Sequence, residues 1–233
     1  MTQRYLDQFR EFESGGASEA PGWVNASRRS AIERFRESGF PTTKNEDWHF
    51  TSVAPIAERE FTFVAAATGD LQHDDLAEFG FGAEDWPTAV FVNGRYAPAL
   101  SKLSRLDPSV RVLSLAHAWT GAPELAKRVG TILTEQSAAF SALNTAFMPD
   151  GVVIHVPADT ALTQPIHVVF ATDAHAAKMV MYPRNLIVLE RHARATVLES
   201  YVSQSDAAYF TNAVTEVSVA EGATLEHYKV QRE

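Results

Sequence analysis

Glu46, Asp47 and His49 fall within a four-residue stretch, and a carboxylate beside an imidazole is a minimal apparatus for acid-base chemistry or for holding a metal ion. A competing reading makes the segment structural: Trp48 and Phe50 plug a core while Lys44, Glu46 and Asp47 face water or cap a turn. The structural reading is preferred. His155, His167, His192 and His227 lie in or beside strand-like segments, where stacking would bring some of them together as nitrogen ligands for iron or zinc. Their spacing is irregular, with no His-x-His pair and no cysteine in the chain, so surface or hydrogen-bonded core roles are expected instead. Glu190 with His192 has the look of a cupin-like metal strand, without the flanking pattern. Asp159, Glu190, Glu199, Glu216 and Glu226 are the carboxylates available to line a groove, as in β-helix enzymes that cleave acidic polysaccharides with an acid-base pair. No Gly-rich phosphate loop and no Gly-x-Ser-x-Gly turn occurs, so any ATP used must be bound by another subunit.

These residues sit on two textures of chain. From Gly151 onward short β-branched segments alternate with Gly, Pro, Asp and Asn: Val152 to Val156, Pro165 to Thr172, Leu186 to Glu190, Arg194 to Val202, Ala213 to Val219 and Ala223 to Val230. The run Ala195 to Tyr201 returns as Ala223 to Tyr228 at an offset of 27 to 28 residues, a length that fits one coil of a β-solenoid. Stacked coils leave unpaired backbone groups at each end, so either a partner covers the last coil or these residues are the N-terminal part of a longer protein. Before residue 150 the pattern is mixed. Tyr5 to Ser14 and Trp23 to Ser38 read as helices, the second ended by Gly39 and Pro41, with a loose linker from Ser14 to Ala20. Thr88 to Val92 and Arg95 to Leu100 flank Asn93-Gly94, the pair a two-residue hairpin favours. Val110 to Leu115 is a predicted strand, Pro123 to Val129 a short helix, and Ser137 to Met148 a helix burying Phe140, Leu143 and Phe147. Asn144 on that helix is placed to hydrogen-bond the backbone of the first β-coil. The expected division is a mixed, mostly helical domain over 1–150 and a β domain over 151–233.

Composition narrows the function classes. The 233 residues hold one large or two small domains, and 45% hydrophobic with 21% charged content suits a globular chain. A net charge of -9 without a basic run argues against nucleic acid as a partner. With no long apolar run and no leader-like start, the reading is a cytoplasmic protein without a membrane partner.

Three stretches carry a resemblance. The segment Gly39 to Thr51, through Pro41, Thr42, Lys44, Glu46, Trp48 and Phe50, resembles the G-x-P-T-x-K-x-E-x-W-[KRH]-[YF]-T segment near the start of the SufB/SufD family of iron-sulfur cluster assembly proteins. Phe140, Leu143, Asn144 and Phe147, followed by Asp150-Gly151 and Ile154 to Pro157, are similar to that family's entry into its β-helix, and Phe91 to Arg95 to its hairpin. The Trp48 segment looks more like the SufD branch. The resemblance implies an N-terminal helical domain, then the first coils of a right-handed parallel β-helix, with a C-terminal helical domain lying beyond these residues. It further implies a non-catalytic scaffold that pairs with a SufB-like subunit and a SufC-like ABC ATPase to build and deliver iron-sulfur clusters; pairing with itself is the other option. The motif residues are then structural, with no catalytic or metal-ligating residue and no cofactor held by these residues, although the complex handles an iron-sulfur cluster and its ATPase binds ATP.

Overall fold

A computed structural model describes residues 2–15, 20–65, 69–79, 85–133, 139–204 and 206–233. In chain order its elements are α1 (Thr2–Gly15), α2 (Gly22–Ser38), α3 (Ala54–Glu58), β1 (Thr62–Phe63), α4 (His73–Ala77), β2 (Thr88–Val92), β3 (Arg95–Tyr96), β4 (Arg111–Ser114), α5 (Leu115–Gly121), α6 (Pro123–Ala126) and α7 (Ala139–Phe147). There follow β5 (Val152–Val156), β6 (Ile166–Thr172), β7 (Met179–Met181), β8 (Arg184–Leu189), β9 (Arg194–Ser203), β10 (Phe210–Thr211), β11 (Val214–Val219) and β12 (Thr224–Arg232).

The strands form three sheets, ordered β1-β7-β10, β11-β8-β5-β4 and β12-β9-β6-β2-β3. From β5 onward the chain visits the four-stranded, five-stranded and three-stranded sheets in that order, repeats the circuit, and enters the first two again. Each return lays a strand parallel to its predecessor. Phe210 lies opposite Val180, Val214 opposite Arg184 and Thr224 opposite Arg194, each thirty residues on. The expected offset of 27 to 28 is therefore corrected to thirty. The match of Glu226 to Glu199, at 27, is off by three, and an odd shift would exchange the two faces of the strand. Matching Glu226 to Glu199 by type pairs an exposed residue with a buried one; Glu226 instead lies opposite Thr196.

Both faces of the central strands are covered, which explains their unbroken Val, Ile and Leu runs. Inward side chains such as Val152, Ile154, Val168, Phe170, Ile187 and Val197 share one cluster between the four- and five-stranded sheets. Outward residues Val153, Leu186 and Val188 pack beneath Leu115, Ala118 and Leu125 of α5 and α6. The three-stranded sheet offers Val180, with Tyr182 just beyond it, to an aromatic cluster built from α1, α2 and α7. Phe147 sits at its centre, stacked 5.0 Å from Tyr182 and within 6.0 Å of Phe9, Phe12 and Phe63.

The N-terminal half also contributes strands: β1 pairs parallel with β7, β2 parallel with β6, and β4 antiparallel with β5. Asn93 and Gly94 take φ of 48° and 79°, the conformation the predicted hairpin requires. Its second strand stops at Tyr96, because Pro98–Leu100 forms a 3-10 turn rather than the expected extension to Leu100. Leu115 begins a helix capped by Ser114, so the predicted strand ends at Ser114. The linker expected from Ser14 to Ala20 and the first residues of the helix expected from Ser137 fall partly outside the described residues. Among the described residues no helix is long and apolar enough to cross a membrane.

Candidate functional site

Register turns the interior into columns: Ile166, Val197 and His227 stack in one, Val168, Glu199 and Lys229 in the next, and Phe170, Tyr201 and Gln231 in a third. On the facing sheet Val152 gives way to Asn185 and Thr215. The interior thus begins apolar and becomes polar toward β11 and β12. Glu199 is the hub. It is 1% exposed, and its carboxylate accepts from Thr215 Oγ1 at 2.9 Å and from the Tyr201 hydroxyl at 3.0 Å, with His227 Nε2 at 3.0 Å. Asn185 is fully buried; its Nδ2 donates to Thr215 Oγ1 at 3.2 Å while its Oδ1 accepts from the Val152 amide. Lys229 Nζ stands 4.6 Å above the Tyr201 ring. Burial pushes the Glu199 carboxyl up, but the hydrogen bond and charge of His227, with those from Thr215 and Tyr201, outweigh it and hold it below the usual range. Burial, then the Glu199 carboxylate, raise the Tyr201 phenol. The result is an ionised carboxylate beneath an imidazole, with an ammonium over the neighbouring phenol ring.

A second polar network joins the helices to the sheets. Asn144, fully buried on α7, donates through Nδ2 to the carbonyls of Pro183 and Asn212, both at 2.8 Å, and accepts from Arg184 Nη1 at 3.0 Å. These carbonyls precede β8 and β11, so one side chain fastens the helix to the second and third passes rather than to the first. Arg184 and Glu216, 0% and 1% exposed, form a buried ion pair at 2.7 Å, and Glu216 also accepts the amides of Gly130 and Ile132. Removing one partner of such a pair costs about 3–5 kcal/mol, because the other charge is left buried. Asp150 accepts from the amides of Tyr96, Ala116 and Gly151, binding β3, α5 and β5 at one carboxylate. Burial raises its pKa against those bonds. A Cβ at position 151 would overlap the Arg184 carbonyl, which is why glycine follows.

The Pro41 to Thr51 segment departs from expectation. Thr42 and Lys44 are exposed in a turn organised by Asn45, and Glu46–Trp48 is one turn of 3-10 helix. Trp48 is half-buried, 5.3 Å from Phe140, itself half-buried between Phe40 and Phe210. Phe50 is 96% exposed, so it plugs no core; the local backbone bonds from His49 to Glu46 and Thr51 to Trp48 turn it outward. Leu143 and Phe147 are fully buried as predicted.

Each strand histidine has its own partner: His155 and Arg128 with Glu190, His167 with Ser200, His192 with Asp159, His227 with Glu199. Glu190 and His192 do not meet as a metal pair, and among the described residues no group of three His, Cys, Asp or Glu forms a metal site. The candidate groove carboxylates are likewise dispersed, Glu226 facing Thr196 and Glu216 held by Arg184. Sequence reasoning missed Asn185, Thr215 and Arg184, whose roles depend on which residues stack.

With this geometry established, comparison with known proteins places the chain. The family model for the SufBD protein N-terminal region matches residues 1–168, and that for the SUF system FeS cluster assembly SufBD core domain matches residues 170–233. The chain belongs to the SufBD family. It is similar to an iron-sulfur cluster assembly SufBD family protein of Synechocystis, 31% identical over 88% of this chain and 47% of the relative. It is also similar to the iron-sulfur cluster assembly protein SufD of Escherichia coli, 28% identical over 94% of this chain and 48% of the relative. The chain spans about half the length of these SufBD relatives. Membership supports involvement in iron-sulfur cluster assembly.

Proposed function

We propose that this chain is part of a non-catalytic scaffold subunit of a SufBCD-type complex that assembles and delivers iron-sulfur clusters. The parallel return of β8 to β12 on their predecessors, thirty residues apart at three separate pairings, supports a right-handed parallel β-helix as its core. That observation carries the reading: a stack of this kind offers backbone edges and flat faces to other subunits. The motif residues from Pro41 to Gly151 are structural in this reading, joining helices to strands, apart from Phe50 on the surface. The partners are a SufB-like sister subunit and a SufC-like ABC ATPase, which binds the ATP, and the cluster is the cargo. The setting is the cytoplasm.

The test is purification of the protein, tagged near its start, from its own cells without oxygen, with the accompanying chains identified by mass. An ABC-type ATPase and a second SufBD-family chain are expected to arrive with it. Recovery without either would overturn the scaffold reading.

A further inference from the structure

Across the outer face of the four-stranded sheet, pairing sets Arg111 of β4 opposite His155 of β5, followed in the same row by Val188 of β8 and Ser218 of β11. Two guanidinium groups bracket the imidazole. Arg111 Nη2 donates to Glu124 Oε1 of α6 at 2.8 Å. Arg128, at the start of the turn over 127–133, donates to Glu190 Oε1 at 3.1 Å and to Ser218 Oγ at 3.0 Å. His155 Nε2 stands 3.5 Å from that same Glu190 oxygen, and its Nδ1 is buried without a hydrogen-bond partner. Among the described residues, the charged groups that face His155 are Arg111, Glu124, Arg128 and Glu190. Two cations already meet two carboxylates, so the row suits a neutral ring. A proton on His155 would set a like charge directly across the strand pair from Arg111 and leave a buried Nδ1–H without an acceptor. Burial, then Arg111 and also Arg128, accordingly lower its pKa against the pull of Glu190. Beyond Arg128 the turn is held by the amides of Gly130 and Ile132, which donate to Glu216 at 2.7 and 3.1 Å. Glu216 is the partner of the buried Arg184, so the turn lies against that ion pair.

We propose that His155 is a pH-sensitive latch for the 127–133 turn. While the imidazole is neutral, Glu190 stays with Arg128 and the turn stays on the sheet. Once protonated, His155 draws Glu190 to itself and repels Arg128, and the turn lifts from Glu216. An unfolded chain takes up this proton near pH 6.5 and the folded one only below that, so the latch is closed above about pH 6.5 and opens as the pH falls beneath it. The latch does not rest on the scaffold proposal.

The experiment is amide hydrogen exchange in the 233-residue chain, followed by NMR and expressed as protection relative to an unstructured peptide at the same pH. Protection of the Gly130 and Ile132 amides is expected to fall about tenfold from about pH 7 to about pH 5. In His155→Gln, which keeps a neutral donor toward Glu190, it is expected to change by less than about twofold over the same range. The His155 ring, read in the same samples, is expected to titrate below about 6.5. An equal loss of protection in His155→Gln, no loss in the wild type, or a ring that titrates at or above about 6.5 overturns the latch.

Discussion

His167 is 6% exposed, its Nε2 lies 2.8 Å from Ser200 Oγ, and burial lowers its pKa to about 4. In the unfolded chain the same imidazole titrates near 6.5, so between these two values the unfolded state binds a proton that the folded state refuses. Stability therefore rises with pH across that window and falls as pH drops from about 6.5 to about 4. The loss approaches about 1.4 kcal/mol per pH unit at its steepest. Urea unfolding of the wild type and of His167→Gln, which keeps a partner for Ser200, isolates this term from Glu199 and Asp150. The wild type is expected to lose stability relative to the variant on acidification from pH 6.5. Parallel pH profiles would remove His167 as the cause. That His167 stays neutral was not legible in the sequence, where it stands beside three other strand histidines. The distinction comes from burial, which follows from the place of β6 between β2 and β9 in the five-stranded sheet.

Among the elements, the turn carrying Trp48 and Phe50 separates what residue type shows from what it does not. Large apolar side chains are common on surfaces, so type alone did not place Phe50. A half-buried Trp48 against Phe140 gives a smaller loss on truncation than a fully buried one. Trp48→Ala is expected to destabilise by about 1–2 kcal/mol, below the range of about 3–5 for buried aromatic truncations, and Phe50→Ser by less than about 0.5. Thermal unfolding of the two variants checks the ordering; a larger loss for Phe50→Ser would reverse the burial assignment. The long elements were legible because each carried a full signal: α2 ends at Gly39 with φ 62°, and β6 and β8 are buried on both faces. Strands β1, β7 and β10, two or three residues each, are too short to show a period, so the third sheet was missed. Asn144 was legible as a helix-to-strand fastener, but its carbonyl partners follow from stacking.

Across the whole molecule, the organising feature is the parallel return of each strand on its predecessor, 33 and 31 residues on for β8 and β9 and thirty for β10 to β12. Its existence was legible in the repeated Ala-Thr-Leu-Glu text, whereas its length was not, because sequence likeness ignores which face a side chain occupies. A return of 31 sets Glu199 beside Val168 and one of thirty sets Lys229 beside Glu199; 27 would set Glu226 opposite Glu199. The chain has no cysteine, so an introduced pair reports register without interference. Neighbouring residues on paired strands fall within the roughly 4.4–6.8 Å between Cα atoms that a disulfide needs. The most direct measurement is therefore oxidation of Thr196→Cys/Glu226→Cys alongside Glu199→Cys/Glu226→Cys, with the intramolecular bond read by mass. The stacked register predicts ready closure of the first pair and not the second; closure of the second pair alone would contradict it.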